Sequence, residues 1–135
     1  MSLFVDTSVW SLAFRRDRPA ATSEVKALIE AIESGRAIFA TGLVLQELLQ
    51  GFTGPKNRRL ILERFSAVPL VAPDREDHIE AADLRSRCRR NGLQIGTIDA
   101  LLAQLCIRHE LTMLSADKDF RHIAEHSRLK MWKRT

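Results

Sequence analysis

Short apolar runs alternate with longer segments of helical period along the whole chain. Leu3-Phe4-Val5 is a β-prone run closed by Asp6, and Thr7-Ser8 can open a helix reaching about Phe14. Arg15, Arg16, Asp17, Arg18 and Pro19 read as a polar loop with a proline stop. Over residues 24–34, Val25, Leu28, Ile29 and Ile32 recur at i, i+3, i+4 and i+7, and Gly35 stands where a C-terminal cap belongs. A second strand is expected at 37–40, then a helix from Thr41 or Gly42 to about Phe52, interrupted by Gly51 and Gly54-Pro55. Residues 56–66, with Leu60, Ile61, Leu62 and Phe65, predict a further helix. Leu70-Val71-Ala72, between two prolines, predicts a third strand. Asp74, with Asp77 three residues on, starts a helix that Asn91-Gly92 ends. Ile98, Leu101, Leu102 and Leu105 form the apolar stripe of a helix over 97–109. A strand at 112–115, a helix over 118–125 and a strand at 129–132 complete the order.

Short apolar strands separated by helices imply parallel pairing with helices on both faces. The expected fold class is therefore α/β, as a single domain over 1–135 without repeats or linker. Length agrees, since 135 residues suit one domain and a chain of that size buries roughly two-thirds of its unfolded surface. With 45% apolar and 28% charged residues, the balance is that of a folded chain and not of a disordered one. Cys88 and Cys106 are too few for a disulfide framework and lack metal-type spacing, so a reducing, cytoplasmic compartment is expected. Met1-Ser2-Leu3-Phe4-Val5-Asp6 has no basic region and meets an acid after three apolar residues, so no signal peptide is expected. No apolar run approaches the ~20 residues of a bilayer span.

Charge raises the question of a partner. Twenty-one basic residues against seventeen acidic give +4, and sixteen of the basic residues are arginine. Arginine's planar fork pairs phosphate bidentately, which suits a nucleic acid. A GC-rich coding bias yields the same count, so composition leaves the partner open.

In an open parallel sheet, sites form outside the carboxyl ends of the strands. Four acids stand there: Asp6, Glu47, Asp99 and Asp117. Each has a structural explanation when taken singly. Asp6 or Asp117 can cap a helix, Asp99 can complement a helix dipole, and Glu47 can sit solvated beside Gln46 and Gln50. Their joint placement changes the weighting. If the two strands that bear them are neighbours, three or four carboxylates converge on one crevice. Like charges that close raise one another's pKa unless cations neutralise them. An all-carboxylate set without histidine or cysteine selects Mg²⁺ or Mn²⁺.

The segments Phe4-Val5-Asp6-Thr7-Ser8-Val9-Trp10, Gln46-Glu47, Thr97-Ile98-Asp99-Ala100 and Ser115-Ala116-Asp117-Lys118-Asp119-Phe120 resemble the signature of PIN-domain ribonucleases, nearest to VapC-type toxins. No single piece is specific; the ordered set, spread over nearly the whole chain, is. The resemblance implies a three-layer α/β/α domain around a mostly parallel sheet of 4-5 short strands. It puts Asp6, Glu47, Asp99 and Asp117 in the places of the family's four acids, with Asp6 and Asp99 foremost as Mg²⁺ ligands and Asp119 a weaker candidate. Thr7 and Ser115 match positions where small polar residues orient the acids. The implied activity is metal-dependent endoribonuclease cleavage of RNA, leaving a 5′-phosphate and a free 3′-hydroxyl. The implied partners are a VapB-like antitoxin and a second copy of the chain. Trp10 and Phe14 read first as core, but by the resemblance the early helices, which also carry Ile29 and Ile32, would offer the antitoxin an apolar groove.

Other readings carry less weight. His122 and His126 stand at i, i+4 without the glutamate of a zinc motif and read as an exposed helix face. Arg85, Arg87, Arg89 and Arg90 read first as a solvated face and second as an RNA track. A receiver-like phosphoacceptor would need adjacent acids after the first strand, where Thr7-Ser8 follows Asp6. A haloacid-dehalogenase-type phosphatase would need an Asp where Ser8 stands. The alternative inside the family is a catalytically inactive RNA- or protein-binding module, against which retention of all four acids argues.

Overall fold

The computed structural model describes residues 1–15 and 22–134, so most of the loop expected at 15–19 lies outside the described residues. Among the described residues there are four strands: β1 (Leu3–Val5), β2 (Ile38–Phe39), β3 (Thr112–Leu114) and β4 (Lys130–Met131). All pair in parallel, in the order β2-β1-β3-β4. The helices are α1 (Thr7–Ala13), α2 (Ser23–Glu33), α3 (Gly42–Gly51), α4 (Pro55–Phe65), α5 (Arg75–Arg90), α6 (Thr97–Arg108) and α7 (Lys118–Glu125). They flank the sheet, giving the three-layer α/β/α arrangement. No helix among the described residues is long and apolar enough to cross a membrane.

The central strands follow from composition. Leu3, Phe4 and Val5 of β1, like Met113 and Leu114 of β3, are fully buried. A parallel strand covered on both faces is a continuous apolar run rather than an alternating one. Local signals set the helix ends. The Thr22 and Thr41 hydroxyls accept from the amides of Val25 and Val44, and Asp74 and Asp77 form a reciprocal capping box. Gly35 and Gly92 close α2 and α5 with φ of +73° and +78°, where a side chain would be strained.

Several expectations are corrected. Residues 70–72 are not a sheet strand; Leu70 makes one isolated bridge to Ala40. The amide of Val71 donates to the Ala40 carbonyl, but Pro73 has no N–H to extend the ladder and the chain turns into the Asp74 cap. In α2 the buried positions are Val25, Leu28 and Ala31, and Ile29 is 45% exposed. In α6 burial extends from Ala100 through most of the helix to Cys106, because α5, α7 and β3 pack around it. Ile98, in its first turn, stays exposed. Trp10 is a core residue, stacked on Phe14 at 5.7 Å and tilted against Phe65 at 4.8 Å. Its indole is therefore closed to a partner.

One polar contact locks α5 to α6. Asp77, fully buried, accepts from Nε and Nη2 of Arg108 at 2.7 Å each. Arg108 also donates to the Ala72 carbonyl. The two arginines Arg85 and Arg87 donate to the Ile95 and His126 carbonyls, which ties them to the fold. Cys88 and Cys106 are buried free thiols.

Candidate active site

Because β1 and β3 are neighbours, with Val5 in register with Leu114, the residues that follow them emerge side by side. Asp6 leaves β1 and Ser115 leaves β3. Asp117 then caps α7, and Asp99 lies in the first turn of α6. Asp6, Thr7, Ser8, Glu47, Asp99 and Asp117 line one open cleft of about 520 Å³, with Ile98 and Phe120 on its apolar wall.

The hydrogen bonds distinguish the acids. Asp6 occupies the N-cap position of α1, yet its side chain caps nothing there. Its Oδ2 instead accepts from the hydroxyls of Ser115 at 2.7 Å and Ser8 at 2.8 Å. Each serine in turn accepts a backbone amide, Ser115 from Asp117 and Ser8 from Ala116. Two hydroxyls thus couple Asp6 to the turn that carries Asp117, and they occupy one oxygen while leaving Oδ1 open. Thr7 donates to Oε1 of Glu47 at 2.9 Å, bridging α1 and α3. Asp117 does cap its helix, accepting from the Asp119 amide at 2.9 Å, and that tight turn curls Asp119 back toward the cleft.

The tightest trio differs from the foremost expectation. Carboxylate oxygens of Asp99, Asp117 and Asp119 lie within 4.8 Å of one another, while Asp6 and Glu47 line the same cleft as Asp99 and Asp117 without belonging to that trio. Asp99 is pushed up to about 6, first by burial and then by the charges of Asp117, Asp6, Asp119 and Glu47. Among the described residues, no lysine or arginine forms an ion pair with any of the five; the ion pairs belong to Arg108. An uncompensated group of carboxylate oxygens at this spacing fits a hard divalent cation. Ser8 is the contributor that sequence reasoning missed. Its position two residues after Asp6 was the only signal, and a serine at a helix start has an ordinary capping explanation. His122 is exposed and His126 ends α7; neither belongs to the cleft.

Comparison with known proteins bears on the same elements. The chain is similar to VapBC2 from Rickettsia felis, in a structure bound to a DNA fragment from their promoter. There the TM-score is 0.75 at 18% identity, covering 98% of this chain and 100% of that one. VapBC-1 from nontypeable Haemophilus influenzae gives 0.75 at 14% identity, covering 98% of each chain. VapC20 of Mycobacterium tuberculosis, described as a Sarcin-Ricin loop cleaving toxin, gives 0.65 at 17% identity, covering 89% of this chain and 93% of that one. No curated protein matches the chain closely in sequence. The PIN domain family, however, matches residues 3–126, which span β1 through α7 and every acid of the cleft. The chain belongs to the PIN domain family.

Proposed function

We propose that this protein is a divalent-metal-dependent endoribonuclease acting as the toxin of a toxin–antitoxin pair. The observation that carries this reading is the group of carboxylates at the carboxyl end of the parallel sheet, with which no lysine or arginine among the described residues forms an ion pair. Asp6, Asp99 and Asp117, with Glu47 and Asp119 in reach, would hold Mg²⁺, for which Mn²⁺ is a fitting substitute. Such a cation, once bound, neutralises phosphodiester charge and makes a water molecule nucleophilic near neutral pH.

The chain's own contribution is to position these acids. Ser8 and Ser115 hold Oδ2 of Asp6, which lines the cleft, and this leaves Oδ1 without a hydrogen bond among the described residues. Thr7 donates to Oε1 of Glu47, which ties this exposed carboxylate to the start of α1. The pKa of Asp99, raised by burial and by the charges of Asp117, Asp6, Asp119 and Glu47, marks a crowding of negative charge that a bound cation would relieve. Ile98 and Phe120 supply an apolar wall beside the scissile group. An RNA substrate, a VapB-like antitoxin, a homodimer and a cytoplasmic setting complete the reading, supported by the VapBC complexes among the structural relatives.

The test is cleavage of RNA by the purified full chain. Cleavage that EDTA abolishes and Mg²⁺ or Mn²⁺ restores is the expected result. Robust cleavage in chelator, from a preparation free of contaminating nuclease, overturns the metal mechanism. Growth arrest on expression, relieved by co-expressing the adjacent small gene, tests the toxin role separately.

A further inference from the structure

A nuclease that gathers five carboxylates must still attract a polyanion, and the acid cleft repels one. Cationic groups are therefore needed on a flank of the cleft. No arginine of α5 lines the cleft, and Arg85 and Arg87 donate to backbone carbonyls. A second concavity of about 490 Å³ lies beside the cleft, with Arg121, Trp132, Lys133 and Arg134 in its wall. We infer that this groove binds the single-stranded RNA flanking the scissile phosphodiester, with phosphates on the cations and a base against Trp132. The inference rests on the ribonuclease reading above.

Sheet register sets the position of the groove. β4 runs beside β3, with Met131 opposite Met113, and the Trp132 amide donates to the Met113 carbonyl at 2.9 Å. Trp132 and Lys133 thus leave the sheet at the same edge as Ser115. Ser115 lines the groove and also donates to Asp6, so groove and cleft share a wall. Helix α7 links them too: Asp117 caps its start at the cleft, and Arg121, four residues on, lines the groove.

Charge and aromaticity then select the occupant. The adjoining surface adds Lys26 and Arg36, so five cations stand against the two carboxylates of Glu24 and Glu30. None of the five forms an ion pair among the described residues. Lys133 and Arg134 are exposed and Trp132 is partly exposed. A cationic groove with an indole in its wall is the general form of a single-strand nucleic-acid site, since every base offers a face to stack. Continuity with the carboxylate cleft favours RNA over an acidic protein segment, because one strand can then occupy both.

The experiment uses full-length Asp99→Asn protein, which keeps the groove and is expected not to cut, and a fluorescent single-stranded oligoribonucleotide. Affinity is measured against NaCl concentration. The added substitutions Lys133→Glu and Arg134→Glu should lower affinity at least ~10-fold and reduce the salt slope by about 1.4, near 0.7 for each lost phosphate contact. Arg89→Ala with Arg90→Ala should change neither. Oligoribonucleotide should quench part of the tryptophan emission, and Trp132→Phe should abolish the quenching because Trp10 is buried. Circular dichroism checks that each variant is folded.

Unchanged affinity and slope in the charge variant overturn the groove, as does failure of the Asp99→Asn protein to bind RNA at all. So does retained RNA binding with loss only of a co-expressed protein inhibitor. Wild-type cleavage with Mg²⁺ is scored in parallel. Cleavage together with an unaffected charge variant removes the groove and leaves the nuclease reading standing. RNA bound through the groove by a wild-type protein that cuts nothing leaves the groove and removes the nuclease reading.

Discussion

At its C-terminal end α6 supplies Arg108 to the carboxylate of Asp77; at its N-terminal end it supplies Asp99 to a cleft whose acids form no ion pair among the described residues. Burial alone would raise the pKa of Asp77, but hydrogen bonds from Arg108, the Asp74 amide and Gln104 outweigh it and hold the group below its ordinary 3.8. Burial of Asp99 is joined by four further negative charges, and its pKa rises to about 6. The same residue type, on or against the same helix, is thus a fastener at one end and, at the other, an acid crowded by like charges. What separates them is the sign of the neighbouring charge. A carboxylate that the protein itself neutralises serves the fold, and one left uncompensated is available to something from outside.

The largest effect should come from removing the crowded end. Asp99→Asn keeps the shape and deletes the charge, so RNA cleavage should fall at least ~100-fold, the scale of losing one preorganised electrostatic contact. The circular dichroism spectrum should stay unchanged. A variant that cuts at the wild-type rate would misplace the site.

Removing the fastener should do the reverse. Asp77→Ala loses the Arg108 pair and half of the α5 capping box, at a cost on the order of 2 kcal/mol in stability. Urea denaturation reads this directly. Metal-stimulated cleavage below the transition should persist, and its selective loss would show that the two ends of α6 are not independent.

Ser8→Ala tests the coupling within the cleft. Asp6 would keep only Ser115 as a hydroxyl donor, and the turn carrying Asp117 would lose its tie to α1. Support of this kind around a metal ligand is commonly worth ~10-fold or more in affinity or rate. The expected result is a rise in the Mg²⁺ concentration for half-maximal cleavage. An unchanged Mg²⁺ titration would reduce Ser8 to a helix-start residue.

The smallest effect concerns pH in EDTA. A raised folded-state pKa means that the stability tied to Asp99 is fully present below 3.8 and lost as pH rises through about 6. For Asp77, with a lowered pKa, stability is present above 3.8 and lost as pH falls through its folded value. Metal-free Asp99→Asn should therefore melt higher than wild type at pH 7, by on the order of 1 kcal/mol after solvent screening. The gain should vanish by pH 4. An equal gain at both values would assign it to packing rather than charge.

The difference between the two regions also shows what a linear reading can reach. Helix ends were legible wherever a local rule decided them, as at Gly35, at Gly92 and at the Asp74–Asp77 box, because their chemistry involves residues a turn apart. The buried strands were legible because β1 and β3 are apolar throughout. Strand 70–72 was misread because Pro73, which has no N–H to donate, stops the ladder after the single Ala40–Leu70 bridge. Ile29 and Ile98 show a second limit. An apolar period identifies a helix face, but the neighbours packed around that face decide which members reach solvent.

By itself the sequence determined the α/β element order apart from residues 70–72, several helix caps, and the presence of Asp6, Asp99, Asp117 and Asp119 at strand and helix ends with Glu47 inside α3. Only the tertiary structure decided that Asp119 joins Asp99 and Asp117 in the tightest trio, and that Ser8 and Ser115 hold Asp6 from two sides. The same holds for Arg108, which neutralises Asp77 and leaves the other acids uncompensated. The physical reason is range. Caps and periodicity act over one to four residues, whereas the field on a carboxylate depends on groups some 30 to 110 positions away that the parallel pairing of β1 with β3 and the packing of α5 on α6 bring within a few ångströms.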